Sequence, residues 1–193
     1  TNPVVPAKSV KDVIAVARAK PGQVNYASGG SGSSGHLAME LFKSMSGTNM
    51  NHIPYKGTGP LITDLVAGQV SLTISSAVPL SPQVKAGKLN GLAVTSPRRS
   101  PSFPELPAIA ETMPGYEVVN WFGILAPAGT SRAIVTRLNK DLNAALGSRE
   151  LRERLASQGA DVVGGTPEEF AKIIRSDFAK WAKVVKESGA KVD

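Results

Sequence analysis

The sequence predicts an α/β protein with a parallel sheet flanked by helices. Three observations carry the prediction. Short β-patterned runs alternate with helix-patterned runs through the first half of the chain. A loop of small residues, 28–35, joins one such strand to the next helix. Glycine and proline punctuate the junctions, as short connections in such folds require.

Taken in order, residues 1–6 place Val4 and Val5 between prolines and read as the tail of a strand. Ser9 caps a helix with Val10, Val13, Ile14 and Ala17 on one side, stopped by Lys20, Pro21 and Gly22. Asn25, Tyr26 and Ala27 finish a strand. The helix after the loop carries Leu37, Leu41, Phe42 and Met45 on one predicted face and stops at Gly47. Residues 50–55 form a second short strand, and Pro54 marks its end or a sheet edge. Pro60 opens the next helix, which turns Leu61, Leu65 and Val66 inward and closes at Gly68. Val70, Leu72 and Ile74 alternate with Ser71, Thr73 and Ser75, a half-buried strand. A helical turn after Pro82 leads to a fourth strand through Leu89, Ala93 and Val94.

The second half is helical. Residues 96–107 contain four prolines and form an exposed connection, and 118–126 is the longest apolar run, a crossing between domains. Ser131 opens a helix whose buried face is Ile134, Leu138, Leu142 and Leu146, and a short helix around Leu151 and Leu155 follows. Thr166, Pro167 and Glu169 make a capping box. The last helix bears Phe170, Ile173, Ile174, Phe178, Trp181, Val184 and Val185, a stripe read as core packing, and ends at Gly189.

Composition narrows the function. A chain of 193 residues with 41% hydrophobic content can bury a core, and it has no cysteine for disulfides or thiolate metal sites. The balance of 22 basic and 15 acidic residues leaves a charge of +7, but the cations are scattered and only Arg98 and Arg99 are adjacent. That pattern lacks the clustering of a nucleic-acid groove and describes a generally cationic surface. No run reads as a membrane span, and the first residues carry no signal-peptide pattern.

The loop at 28–35 holds four glycines and four serines. Outward-turned N–H groups, serine hydroxyls and the positive end of the following helix together suit a phosphate or a carboxylate. Gly35 is followed by His36 and Leu37, so the loop is not a P-loop. Gly30, Gly32 and Gly35 match the dinucleotide spacing only as four close glycines often do. In parallel sheets ligands gather at the carboxyl ends of strands. That brings three stretches together: the loop, residues 55–59 with Tyr55 and Gly57, and the pair Ser75 and Ser76. His36 reads as a capping residue, and His52 lacks partners at metal-ligand spacing. No cofactor or metal is expected.

Several segments, in shared order, resemble a known family. They are residues 26–38, the turn at 54–57, the stretch 85–99, Trp121 and Phe122 with 126–130, and 166–170 running to Lys180 and Trp181. Together they resemble the solute-binding receptors of tripartite tricarboxylate transporters, often called Bug proteins. The resemblance implies a type II periplasmic-binding-protein-like fold, with two α/β domains closing on a small carboxylate. It also implies an incomplete chain, lacking a signal peptide and the first half of domain one. On that reading residues 1–7 end a crossover strand, 8–115 form the ligand-binding domain two, and 116–193 return to domain one with a long C-terminal helix.

The resemblance carries ligand contacts onto Ser28, Gly30, Ser31, Ser33 and Ser34. It implies a periplasmic, non-enzymatic binding protein serving the membrane components of a transporter. Some relatives carry an acidic residue where this chain has Ile74, Ser75 and Ser76, which can receive a ligand's amino group. An unpaired buried ammonium is costly, so the expected ligand has no amino group, such as a di- or tricarboxylate or an aromatic acid. Two other readings stay open: a nucleotide- or phosphate-binding module, and an enzyme using the loop as an anion site. The first would want an acidic residue near position 55, which is tyrosine; the second a base beside the loop, where only His36 is near.

Overall fold

The computed structural model describes residues 1–190. Three parallel strands, β1 (Asn25–Ser28), β2 (Asn51–Pro54) and β3 (Leu72–Thr73), lie in the order β2-β1-β3. The register pairs Ser28 with Pro54 and Ala27 with Thr73, so all three strands end at one edge of the sheet. Helices α1 (Val10–Ala19) and α2 (Ser34–Ser46) share a core on one side with Tyr26, Leu72 and the 109–118 segment. On the other side Leu61 and Leu65 of α3 (Thr58–Val66) pack with Ala27, Val70 and Leu89, and α4 (Ala77–Lys85) adds Leu80 and Val84. The expected layered α/β architecture is present.

The local signals that set helix ends hold. Ser9 accepts from Asp12 N–H, Gly47 closes α2 in the left-handed conformation, and Thr166 and Glu169 bond reciprocally at the start of α7 (Pro167–Ser188). α5 (Arg132–Gly147) and α6 (Arg149–Ser157) form the remaining pair.

Elsewhere tertiary context overrides the pattern. Residues 3–6 are turns, not a strand tail; Asn2 is buried there, and its side-chain amide donates to the carbonyls of Leu65 and Val66 at 2.7 and 3.2 Å. The expected fourth strand is reduced to one bridge between Val94 and Ala108. Its neighbour, 96–107, is rich in prolines, which have no N–H to continue a ladder. α4 starts before Pro82 and contains it, while Pro60 is the third residue of α3, not its first. In α2 the buried side is Ala38, Met39 and Phe42, with His36 and Ser46, whereas Met45 is 40% exposed. Both faces have helical spacing, and the approach of the helix start to the sheet chooses between them.

The largest departure is in the second half. No residue of α5 is buried, and Ile134 and Leu138 stand 53% and 48% exposed. Within α7 only Val184 is buried, Trp181 rests partly on the core, and Phe178 is 79% exposed. Residues 118–126 are irregular, with Phe122, Ile124 and Leu125 exposed. The Trp121 indole donates to Asp177 at 2.7 Å and its ring meets Phe170 edge-on, which ties this run to α7. Among the described residues nothing covers the rest of these apolar faces.

This split predicts unequal mutational costs. Leu61→Ala in the closed core should lower stability by about 2–5 kcal/mol, and Leu138→Ala on the open face by no more than about 0.5 kcal/mol. Urea unfolding of both variants checks this; equal losses would show that the α5 face is packed in solution.

Candidate ligand-binding site at the strand carboxyl ends

The edge where the strands end gathers all the expected site residues. From β1 the chain enters the loop through Ser28, which is fully buried. The Ser28 hydroxyl donates to the Gly30 carbonyl at 3.0 Å and accepts from Gly30 N–H at 3.2 Å; it also lies 2.7 Å from His52 Nε2. It therefore fixes the loop's first turn from below. Gly30 and Gly32 take φ of 138° and 76°, values that favour glycine. The Ser33 N–H closes a turn onto the Gly30 carbonyl at 3.1 Å, and Ser33 caps α2 by accepting from His36 N–H at 3.3 Å.

Contacts with the neighbouring strand ends hold the loop in place. Tyr55 N–H donates to the Ser28 carbonyl and Gly57 N–H to the Gly29 carbonyl, each at 3.0 Å. A side chain on Gly30 would press on the Tyr55 carbonyl oxygen, and one on Gly35 would overlap the Ile74 carbonyl oxygen. Gly35 thus lets α2 begin directly against the end of β3. Ser76 then starts α4 with no side-chain cap of its own.

What remains available is a set of uncommitted donors. Among the described residues, the hydroxyls of Ser31, Ser34, Ser75 and Ser76 make no hydrogen bond, and neither do the N–H groups of Gly29 and Ser31. Ser31, Ser75 and Ser76 are half-buried and Ser34 is exposed. Ser28 has its hydroxyl engaged within the loop, so its part is to shape it, whereas Ser33 Oγ only accepts from His36 N–H and its own O–H can still donate outward. Tyr55 is turned to Asp64, its hydroxyl donating at 2.7 Å, and burial with that carboxylate pushes the phenol up to about 12.

A polar cluster beneath the loop escaped sequence reasoning. His36 and His52 stack with ring centroids 3.9 Å apart, and Tyr26 stacks on His52 at 4.9 Å. His36 Nδ1 accepts from Gly32 N–H at 3.0 Å, so the ring braces the loop from inside. The Tyr26 hydroxyl donates to Glu40 at 2.5 Å, and Lys43 donates to the same carboxylate at 2.7 Å. Burial acts to raise the Glu40 carboxyl, but the hydrogen bonds from Lys43 and Tyr26 outweigh it and hold the group below its ordinary value. Burial and Glu40 together push the Tyr26 phenol well up. The i, i+4 spacing of His36 and Glu40 was legible, but the meeting of His52 with Ser28 depends on β1 and β2 pairing. Ser28 and His52 do not make a nucleophile and base, because the hydroxyl is sealed from any substrate.

Comparison with known proteins fits this architecture. The family described as the tripartite tricarboxylate transporter family receptor matches residues 1–190. The chain belongs to that family. It is 39% identical over 193 residues to Protein BugT of Bordetella pertussis and spans 59% of that protein's length. Among solved structures, an R. palustris protein with adipate superposes with a TM-score of 0.89 at 40% identity, over 98% of this chain and 64% of its own. MatC of Rhodopseudomonas palustris with bound malate gives 0.80 at 29% identity, over 94% and 63%. The periplasmic binding protein BugD gives 0.82 at 32% identity, over 96% and 63%. The chain spans about three fifths of the length of each of these four proteins.

Two outcomes follow from the site's construction. Gly35→Ala forces apart α2 and β3 and should cost about 1–3 kcal/mol, the usual penalty of overpacking; a thermal midpoint equal to the parent's would contradict the tight approach. The Glu40 carboxyl sits below its unfolded value, so its contribution is complete above the ordinary carboxylate range and lost as pH falls through the lower folded value. Glu40→Gln should therefore lower stability near neutrality by about 1–3 kcal/mol and flatten the acid limb. Denaturant melts from pH 3 to 7 check both, and an unaltered acid limb would refute the assignment.

Proposed function

We propose that this chain is the ligand-holding part of an extracytoplasmic receptor that captures a small organic carboxylate without an amino group. The observation that carries the reading is the set of free serine hydroxyls and N–H groups at one sheet edge, flanked by two helix N-termini. Such donors satisfy a carboxylate by charge-assisted hydrogen bonds, about 1.5–3 kcal/mol each, with no salt bridge needed. The contacts assigned are the hydroxyls of Ser31, Ser33, Ser34, Ser75 and Ser76 and the loop N–H groups, with Ser28, Gly30, Tyr55 and Gly57 holding the geometry. Adipate and malate in two structural neighbours support the ligand class. The absence of an acidic residue at 74–76 supports the lack of an amino group on the ligand.

On this reading residues 8–115 form the ligand-holding lobe and 116–193 part of a second lobe. The protein works in the periplasm with the membrane components of a tripartite transporter and performs no chemistry. Its relatives are named as receptors and binding proteins, which supports that role.

Thermal stabilisation across carboxylates, amino acids and nucleotides tests the proposal. A ligand at a hundredfold excess over its Kd should add about 2.7 kcal/mol of apparent stability. Removing two hydroxyls, in Ser31→Ala with Ser76→Ala, should weaken binding by tenfold or more, about 1.4 kcal/mol per factor of ten. Stabilisation by nucleotides alone would return the loop to phosphate binding, and tight binding of aspartate or glutamate would remove the amino-free assignment.

A further inference from the structure

The Gly/Ser loop rests on a side chain that can change its charge. His36 is buried, and its Nδ1 accepts from Gly32 N–H at 3.0 Å. Gly32 lies between Ser31 and Ser33, two of the assigned contacts, and its φ of 76° places it in the left-handed region. A ring nitrogen accepts only through its lone pair, so the neutral ring carries its proton on Nε2. Protonation of Nδ1 sets two N–H donors against each other, and the contact with Gly32 cannot persist.

The groups around the ring define when that happens. His36 Nε2 lies 3.7 Å from the Glu40 carboxylate, which favours an imidazolium; Lys43, bonded to the same carboxylate, and the positive start of α2 oppose it. From β1 Tyr26 donates to Glu40, and from β2 the His52 ring stacks on His36 with centroids 3.9 Å apart. Two imidazolium rings at that separation repel, so the pair takes one proton well before a second. The 109–118 segment brings Tyr116, which donates to the Ala38 carbonyl of α2 at 3.0 Å, and α7 packs on α2 with Asp177 and Lys180 3.9 Å apart. Hydrogen bonds hold the Glu40 carboxyl below its ordinary value, and burial pushes the Tyr26 and Tyr116 phenols up. Those three groups therefore keep their charge through the range where imidazole titrates.

We infer that His36 is a positioning residue whose protonation releases the ligand. The inference rests on the carboxylate reading and adds regulation to that site. With Nδ1 unprotonated, Gly32 is held against the ring and Ser31 and Ser33 present their hydroxyls from a fixed turn. With Nδ1 protonated, Gly32 N–H loses its acceptor, the turn loosens, and ordering it again costs binding. Glu40 offsets the charge of the imidazolium beside it, so loss of the brace outweighs attraction to the carboxylate. Affinity falls as pH drops, and the receptor gives up its ligand as its surroundings acidify.

Nuclear magnetic resonance of the protein alone gives the first test. Between pH 8 and 5 the Gly32 amide proton should shift in the same titration as the His36 ring nitrogens. A Gly32 resonance that stays in place while His36 titrates, or a His36 ring that binds no proton in this range, would overturn the switch. Calorimetric titration with adipate and with malate then reads the coupling. From pH 8 to 5.5 their affinity should fall about fivefold more in the parent than in His36→Asn, the worth of about one hydrogen bond. His36→Asn sets an amide oxygen where Nδ1 stands and cannot be protonated, so it also corrects for protons taken up by the acids themselves. It should bind as the parent does at pH 8, whereas His36→Phe, a stacked ring without an acceptor, should bind weakly at both pH values. Equal falls in the parent and His36→Asn would overturn the assignment to His36. Binding of neither acid at pH 8 would overturn the carboxylate reading, and with it the coupling, whether or not Gly32 and His36 titrate together.

Discussion

The site depends on one steric constraint, the contact of Gly35 with the carbonyl oxygen of Ile74. No side chain fits there. Because the first turn of α2 lies against the end of β3, the Gly/Ser loop is confined between that strand and the turn after β2. The hydrogen bonds of Tyr55 and Gly57 to the carbonyls of Ser28 and Gly29 complete the confinement. A segment whose composition suits a flexible linker is thereby held in one shape. Preorganised donors lose less entropy when a ligand arrives, which is how neutral serines can hold an anion.

Beneath the loop, polarity replaces the expected apolar core. Tyr26, His36, Glu40, Lys43 and His52 form a stacked and hydrogen-bonded group between the sheet and α2. Its buried charge is sustainable because Glu40 has both a cation and a phenol as partners; an isolated carboxylate there would be expensive. The group's structural effect passes upward through two bonds, Gly32 N–H to His36 and Ser28 to His52. The first of these bonds spends a loop donor, and the second helps commit the Ser28 hydroxyl. They also decide which serines remain available, so the loop's eight small residues are divided between those that build it and those that face outward.

The first and second halves of the molecule bury their apolar residues to different extents. Around the sheet, strands and helices enclose Tyr26, Met39, Leu61 and Tyr116 almost completely. Along α5 and α7 the same kind of helical stripe stays open. Periodicity reports that a face is apolar; it carries no information about whether another element covers it. The cap of α7 is made within four residues and does not depend on such cover.

Much of the fold was readable from sequence where the determinants are local. Ser9, Gly47, Thr166 with Glu169, and the glycines at 30 and 32 act within a few residues, so the caps, the turn and the element order could be placed without tertiary information. Grouping the three strand ends followed from parallel topology. What needed the folded molecule was every choice made by a distant neighbour. The face of α2 that turns inward was decided by Gly35 against Ile74. The loss of the fourth strand was decided by prolines in the segment beside it, and the commitment of Ser28 by a histidine 24 residues away. The sequence alone determined where the chain turns and which stretches can donate to an anion, because backbone conformation and helix capping are short-range. Only the tertiary structure decided which donors stay free and which apolar faces are covered, because burial depends on what the rest of the chain brings alongside.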